Sequence, residues 1–396
     1  MLQNLYQHNY LKHDAFRFTE PALTLNPILL DKFNSILGSS REKITSARFR
    51  ESKNLLKEIV HELSSQCPED EFLALFLFEL FDQVETYLDD EFSFRARVVG
   101  SQFSDELGAA LGSEAYYYGR LDERTLSQLS NLILHDVEIF RNRAAAGQMK
   151  RSDLSVNDGE TVSKISSILN SEFKKNGTFH RISNYVGIRY SYVGVSLELS
   201  VSGSTWWKNA IEGVATPKTM YAHLDESIFA PKAIVYLSDV TEGNGPTCSY
   251  PHIYDQLENN TLQDIIGRVI GSVGNNPTSK LHDYYSKSYH QSMSSRNFRK
   301  HFMKLPETLR FNSHFGWDIL AGSEFESQIA EREEVLLGPA GTFVVFDGSR
   351  LLHRGGLIEA GERIVLQVVF WPKPTFIEKI ERILKRVNRL VQRSTN

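Results

Sequence analysis

The sequence is poor in cysteine, with only Cys67 and Cys248 in 396 residues. These two residues lie far apart and form no CxxC pair, so neither a disulfide framework nor a thiolate zinc site is expected. Any metal ion bound by the chain therefore has to be held by histidines and carboxylates.

The chain also lacks a long apolar run and an excess of positive charge. Its strongest apolar stretch, Phe72 to Phe81, is about half of the roughly 20 residues that a membrane span requires, and it predicts a buried helix. The net charge of −5 and the pI near 6.2 provide no overall basic field, so no nucleic-acid partner is expected. Residues 1–16 lack the apolar segment of a signal peptide, which predicts a cytoplasmic protein.

The composition, 41% hydrophobic and 23% charged, is that of a folded protein, and two kinds of periodicity along the chain predict an α+β fold. Apolar residues up to about residue 176 recur every three or four positions, as in Leu126, Leu129, Ile133, Val137 and Phe140, which predicts helices. After residue 177, alternation such as Val193, Val195, Leu197, Leu199 and Val201 predicts strands. We therefore predict a mainly helical region over residues 1–176 and a β-rich core over residues 177–375.

Further strands are predicted at 233–237, 342–346 and 363–371, the last interior to a sheet because it is apolar on both faces. Residues 256–334 between them are polar, contain a helix-like stretch at 262–273, and are interpreted as an insertion that covers the site; a surface elaboration far from the site is the alternative. The apolar spacing over residues 376–396 predicts an amphipathic basic helix, with six Lys or Arg against two Glu. Packing on the helical layer, dimerisation and contact with a membrane surface all remain open for this helix.

One set of residues has the composition of a metal site. His223 and Asp225 are two positions apart, so on an extended strand both side chains project from one face. His353 follows a predicted strand, and Arg363 begins the next one, so that both could face one cavity from neighbouring strands. Two His and one carboxylate leave three positions of an octahedral ion open, as expected of non-haem Fe(II) oxygenases. An Arg among apolar strand residues needs an anion, which a dicarboxylate cosubstrate would provide.

The sequence resembles the phytanoyl-CoA dioxygenase-like family of Fe(II)/2-oxoglutarate-dependent oxygenases in an ordered set of motifs. These are His223-Leu-Asp225, the segment from Ala233 through Asp239-Val-Thr to Asn244-Gly-Pro246, then His353 and Arg363. The resemblance covers about residues 191–372. It implies a double-stranded β-helix, that is, a jelly-roll or cupin-like barrel, on which the helical N-terminal half packs. It also implies Fe(II) held by His223, Asp225 and His353, with 2-oxoglutarate on Arg363 and O2 as the other cosubstrate.

The expected activity is hydroxylation of a small-molecule, lipid or sugar-type substrate with release of succinate and CO2; desaturation remains open. Halogenation is disfavoured because related halogenases have a small residue in place of the carboxylate, and here Asp225 is present. Candidate substrate contacts are Trp206, Tyr221, Tyr236 and His252. The alternative is a non-catalytic jelly-roll binding or scaffold protein in a biosynthetic complex.

Overall fold

The structure is a computed structural model that describes residues 17–18, 22–38, 42–67, 69–100, 105–146, 154–156, 159–201, 219, 222–225, 227–256, 259–273, 296–310, 321–356 and 358–375. The described helices are α1 (Pro27–Leu37), α2 (Ser46–Ser64), α3 (Glu71–Arg95), α4 (Glu106–Ser113), α5 (Glu123–Ala145), α6 (Gly159–Lys175), α7 (Thr178–Val186), α8 (Thr261–Val273), α9 (Arg296–Phe302) and α10 (Glu324–Ala330). The described strands are β1 (Tyr116–Arg120), β2 (Leu154–Val156), β3 (Tyr190–Val201), β4 (Lys232–Tyr236), β5 (Thr247–Tyr250), β6 (Glu334–Leu336), β7 (Thr342–Phe346), β8 (Leu352–Arg354) and β9 (Glu362–Pro372). No helix in these ranges is long and apolar enough to cross a membrane.

Aspartates set the starts of three consecutive helices. The carboxylates of Asp70, Asp105 and Asp122 accept hydrogen bonds from backbone N–H groups three residues later, at 2.9, 2.8 and 2.7 Å. Each aspartate therefore satisfies an N–H group that the first turn of α3, α4 or α5 leaves unpaired. The apolar run predicted as a buried helix forms the first part of α3, although Phe72 and Phe78 are exposed.

The described strands form two antiparallel sheets. The larger has the order β1-β7-β4-β9-β3-β2, and the smaller has the order β6-β5-β8. The mixed helix and sheet composition confirms the α+β prediction, and β9 lies between β4 and β3, as its apolar faces predicted. The strands do not close into one barrel over the described residues, so the jelly roll stays a prediction.

The helical part of the chain also contributes strands. β1 pairs with β7 and β2 pairs with β3, so both ends of the larger sheet come from residues before 177. These strands have five and three residues, and their partners are distant in sequence, so local periodicity did not reveal them.

Two main cores hold the layers together. One joins the larger sheet to α5, α6 and α7. The other joins α1, α2 and α3 to α8 and α9 and includes Ala222, Leu224 and Leu352. The described parts of the predicted insertion therefore share a core with the N-terminal helices. Residues 376–396, with the predicted basic helix, lie outside the described residues.

Candidate metal centre

Alternation of small apolar and polar residues positions two of the candidate ligands. Ala222 and Leu224 are fully buried and pack into the core that contains the helical layer. His223 and Asp225 lie between and after them, so their side chains project away from this core. The backbone is fixed by a hydrogen bond of 2.7 Å from the Asp225 N–H to the carbonyl oxygen of Gly348.

His353 is brought to this segment by direct backbone pairing. The His223 N–H donates to the His353 carbonyl at 2.8 Å, and the His353 N–H donates to the His223 carbonyl at 3.0 Å. The two imidazole rings are 4.4 Å apart between centroids. The third ligand candidate therefore reaches the other two through a local antiparallel bridge, across 130 residues of sequence (353 − 223).

The three side chains can share one cation. One ligand atom from each of His223, Asp225 and His353 lies within 4.8 Å of the others. Asp225 Oδ1 is 4.0 Å from Nε2 of His223 and 3.9 Å from Nε2 of His353. Two imidazole nitrogens and one carboxylate oxygen on one side of an ion leave the remaining positions for other ligands.

The protonation states of these groups suit metal binding. The His353 Nδ1–H donates to the Leu351 carbonyl at 2.8 Å, which leaves Nε2 as the lone-pair atom toward Asp225. Burial and the neighbouring His223 lower the pKa of His353 to about 4, against the opposing effect of Asp225, so its imidazole is neutral at pH 7. Burial alone would raise the pKa of Asp225, but Lys232 and the two histidines hold it below its ordinary value.

The two carboxylate oxygens of Asp225 differ in their hydrogen bonds. Lys232 Nζ donates to Oδ1 at 2.6 Å. Oδ2 is buried and has no hydrogen-bond partner among the described residues. An unsatisfied buried carboxylate oxygen is unfavourable, and a cation bound to this carboxylate would compensate its charge. The residues present therefore fit a divalent metal ion.

Arg363 lines the same cavity as the two histidines. The cavity has a volume of about 160 Å³ and is also lined by Lys232 and Gln367. Arg363, Val365 and Gln367 alternate along β9 and face it together. The buried Arg363 donates from Nη1 to the Gly245 carbonyl. His353 and Arg363 do not lie on neighbouring strands of one sheet, however: β8 belongs to the smaller sheet and β9 to the larger, so they approach the cavity from two sheets.

The other candidate site residues are placed elsewhere or lie outside the description. Tyr236 is buried, and its hydroxyl donates to the Leu336 carbonyl at 2.7 Å rather than lining the cavity. His252 is about half exposed, with its ring 2.8 Å from Glu114 Oε2. Trp206 and Tyr221 lie outside the described residues. The described residues of the 256–334 insertion do not line the cavity.

Three residues of the site region were not predicted from the sequence. Lys232 is the first residue of β4 and Arg363 the second of β9, so this shared pattern of a cation at the start of an apolar strand could have marked it. Gly348 packs directly against the carboxylate of Asp225. Arg268 donates to the backbone of the ligand segment from a helix 43 residues away in sequence, and no local signal indicates this contact.

No protein-family model matches the sequence, and no relative was found among curated proteins. Several solved structures are similar to the chain. The non-heme alpha-ketoglutarate-dependent epimerase SnoN from nogalamycin biosynthesis is 13% identical, over 67% of this chain and 81% of that one, with a TM-score of 0.32. HygX from Streptomyces hygroscopicus, solved with nickel and 2-oxoglutarate bound, is 13% identical over 69% and 88%, with a TM-score of 0.33. EctD from S. alaskensis, solved with bound Fe, is 14% identical over 69% and 80%, with a TM-score of 0.34. At these TM-scores the similarities do not decide what this chain does, and its function has to be inferred from its own side chains.

Proposed function

We propose that the chain is an Fe(II)- and 2-oxoglutarate-dependent dioxygenase that oxidises a small-molecule, lipid or sugar-type substrate. The observation that carries this proposal is the placement of His223, Asp225 and His353 within 4.8 Å of one another beside a cavity that Arg363 also lines. A bound Fe(II) would supply the oxidation of the substrate by O2, coupled to decarboxylation of 2-oxoglutarate to succinate and CO2.

The protein's own residues bind and orient in this proposal. His223, Asp225 and His353 hold the ion on one side, so its other positions face the cavity. A carboxylate oxygen has two acceptor positions, so Asp225 Oδ1 can accept from Lys232 and also bind the ion. Arg363, buried on β9, pairs with the carboxylate of the cosubstrate that lies away from the metal.

The size of the cavity favours a small cosubstrate. Its volume of about 160 Å³ is below the roughly 300–1,000 Å³ of sites for drug-sized ligands. A short dicarboxylate suits this space and this charge. The primary substrate then has to make most of its contacts outside the described cavity, and we retain Trp206 and Tyr221 as proposals for that role. Hydroxylation is the preferred reaction, with desaturation as its alternative.

The rival function is a non-catalytic binding or scaffold protein, and one observation favours it. The ammonium of Lys232 already lies 2.6 Å from Asp225 Oδ1 and can balance the charge of this carboxylate without a metal. Anaerobic titration with Fe(II) and then 2-oxoglutarate separates the two functions. The oxygenase develops a metal-to-ligand charge-transfer band and forms succinate when O2 is admitted, whereas a scaffold protein does neither.

A further inference from the structure

Arg268 on α8 is almost fully buried, and its guanidinium contacts the backbone of both segments that supply the candidate ligands. Nη1 donates to the Asp225 carbonyl at 2.7 Å, and Nη2 donates to the Ser349 carbonyl at 2.9 Å. Nε donates to Asp264 Oδ2 at 2.9 Å, one helical turn earlier. The planar guanidinium thus uses its three nitrogens for three different partners.

The two carbonyls belong to segments that run side by side. Asp225 is itself a candidate ligand, and Ser349 lies in the loop that leads to His353. Besides Arg268, the 2.7 Å hydrogen bond from the Asp225 N–H to the Gly348 carbonyl joins these segments at this point. Arg268 therefore spans the pair of segments from the side of the helical layer.

α8 is anchored to the N-terminal helices. Its apolar residues Leu262, Ile265 and Ile266 share a core with α1, α2 and α3. The Leu262 N–H also donates to Asn34 Oδ1, at the C-terminal part of α1, at 2.9 Å. A continuous series of contacts therefore runs from the helical layer through α8 to the ligand segments.

We infer that Arg268 is a positioning residue that sets the separation of the Asp225 and His353 segments and thereby the affinity for the metal ion. This inference rests on the proposed function. It gives the helical layer a definite role, since the guanidinium transmits the position of α8 to the ligands. Groups that orient metal ligands in this way typically change metal affinity by about 10- to 100-fold when they are removed.

Arg95 provides a matched control. Like Arg268, it is a buried arginine on a helix, and it lies near an acid four residues earlier, Glu91. It also donates to two backbone carbonyls, those of Leu37 and Glu42. These carbonyls belong to the helical layer and not to the ligand segments. Loss of Arg95 therefore reports the cost of removing a buried arginine, without the contact to the site.

The experiment compares the wild-type chain with Arg268→Met, Arg268→Lys and Arg95→Met by titration with Co(II), at a temperature where circular dichroism shows each variant to be folded. Hydrogen exchange without metal follows the amides of Asp225 and His353. Arg268→Met should bind Co(II) about 10- to 100-fold more weakly and exchange faster at both amides, and Arg268→Lys should recover part of the affinity. Arg95→Met should lower the melting temperature but keep the wild-type affinity and exchange at these amides.

If Arg268→Met does not fold, Asp264→Ala tests the same contact, because it removes the side-chain oxygen that orients the guanidinium while keeping the arginine. A weaker affinity than that of Arg95→Met is again expected. An affinity of the folded Arg268→Met or Asp264→Ala variant equal to that of Arg95→Met would overturn the inference while leaving the proposed function intact. Absence of Co(II) binding by the wild-type chain would instead remove the proposed function and the inference with it.

Discussion

Gly348 offers a direct test of where the Asp225 carboxylate lies. A Cβ atom built on Gly348 would be 1.8 Å from Asp225 Oδ2 and 2.6 Å from its Cγ. Ordinary contacts of a Cβ atom begin at 3.4 Å, so the carboxylate would have to move by about 1.6 Å (3.4 − 1.8) to accommodate an alanine. Metal–oxygen distances in protein sites tolerate deviations of only about 0.2 Å.

Gly348→Ala should therefore remove Asp225 from the site without changing any ligand residue. We expect metal affinity to fall by at least about 100-fold, the upper end of what loss of a ligand-orienting group costs, because here the ligand itself is displaced. The stability of the fold should fall by about 1–3 kcal/mol from overpacking. Gly243→Ala is the control, because a Cβ atom at Gly243 meets nothing within 4 Å.

The assay is Co(II) or Fe(II) titration of both glycine variants under anaerobic conditions, with thermal unfolding measured in parallel. Unchanged metal affinity in a folded Gly348→Ala protein would show that Asp225 is not a ligand, or that its carboxylate is not packed against Gly348.

The ligand histidines, the cavity arginine and a buried acid of the helical layer can each be tested by substitution. His223→Ala and His353→Ala should each abolish metal binding in a chain that still unfolds cooperatively, since a three-ligand site cannot spare one ligand; wild-type succinate formation in either variant would refute the assignment. Arg363→Leu should weaken 2-oxoglutarate by roughly 30-fold to a few thousand-fold, the effect of about 2–5 kcal/mol, and leave the metal titration unchanged. Arg141→Leu is its control, because Arg141 pairs with Glu362 beside Arg363 but outside the cavity. An unchanged half-saturation concentration for 2-oxoglutarate in Arg363→Leu would exclude Arg363 from the site. Burial raises the pKa of Glu91 from 4.5 to about 7, against Arg95 and Arg268, so the native state binds a proton that the unfolded chain releases between these values. The free energy of unfolding should therefore fall by up to about 3 kcal/mol as the pH rises from 4.5 through 7. Denaturant unfolding at a series of pH values should show that Glu91→Gln removes this dependence. An equal dependence in both proteins would contradict the raised pKa of Glu91.

The strands of the core were predictable where the alternation of apolar residues in the sequence coincides with strand pairing in the sheet. The alternation at 193–201 corresponds to β3, which extends from Tyr190 to Val201 because it pairs with β9 along its length. The strand predicted at 342–346 has the same bounds in the structure. β1 was not predictable, since Tyr116 to Arg120 carries no clear alternation and is a strand only because it pairs with β7, more than 200 residues later.

The site was predictable in its residue types and not in its surroundings. The spacing of His223 and Asp225 and the position of His353 after a strand suggested a shared ion, and the structure brings their ligand atoms together. Lys232 shares with Arg363 the pattern of a cation at the start of an apolar strand, whereas Gly348 and Arg268 reach the site through a loop contact and helix packing that no short pattern encodes. Tyr236 was a reasonable candidate on its strand, but its hydroxyl serves a backbone carbonyl instead.

In the proposed function, His223, Asp225, His353 and Arg363 together form a site for iron and 2-oxoglutarate. Anaerobic titration of the metal-free wild-type chain with Fe(II) and then with 2-oxoglutarate, followed by optical absorption, tests this assignment, with the Arg363→Leu variant alongside. We expect one Fe(II) per chain, a metal-to-ligand charge-transfer band in the wild type, and the same band in Arg363→Leu only at much higher 2-oxoglutarate concentration. A folded wild-type chain that binds no Fe(II), or that binds it without developing the band at saturating 2-oxoglutarate, would refute the assignment.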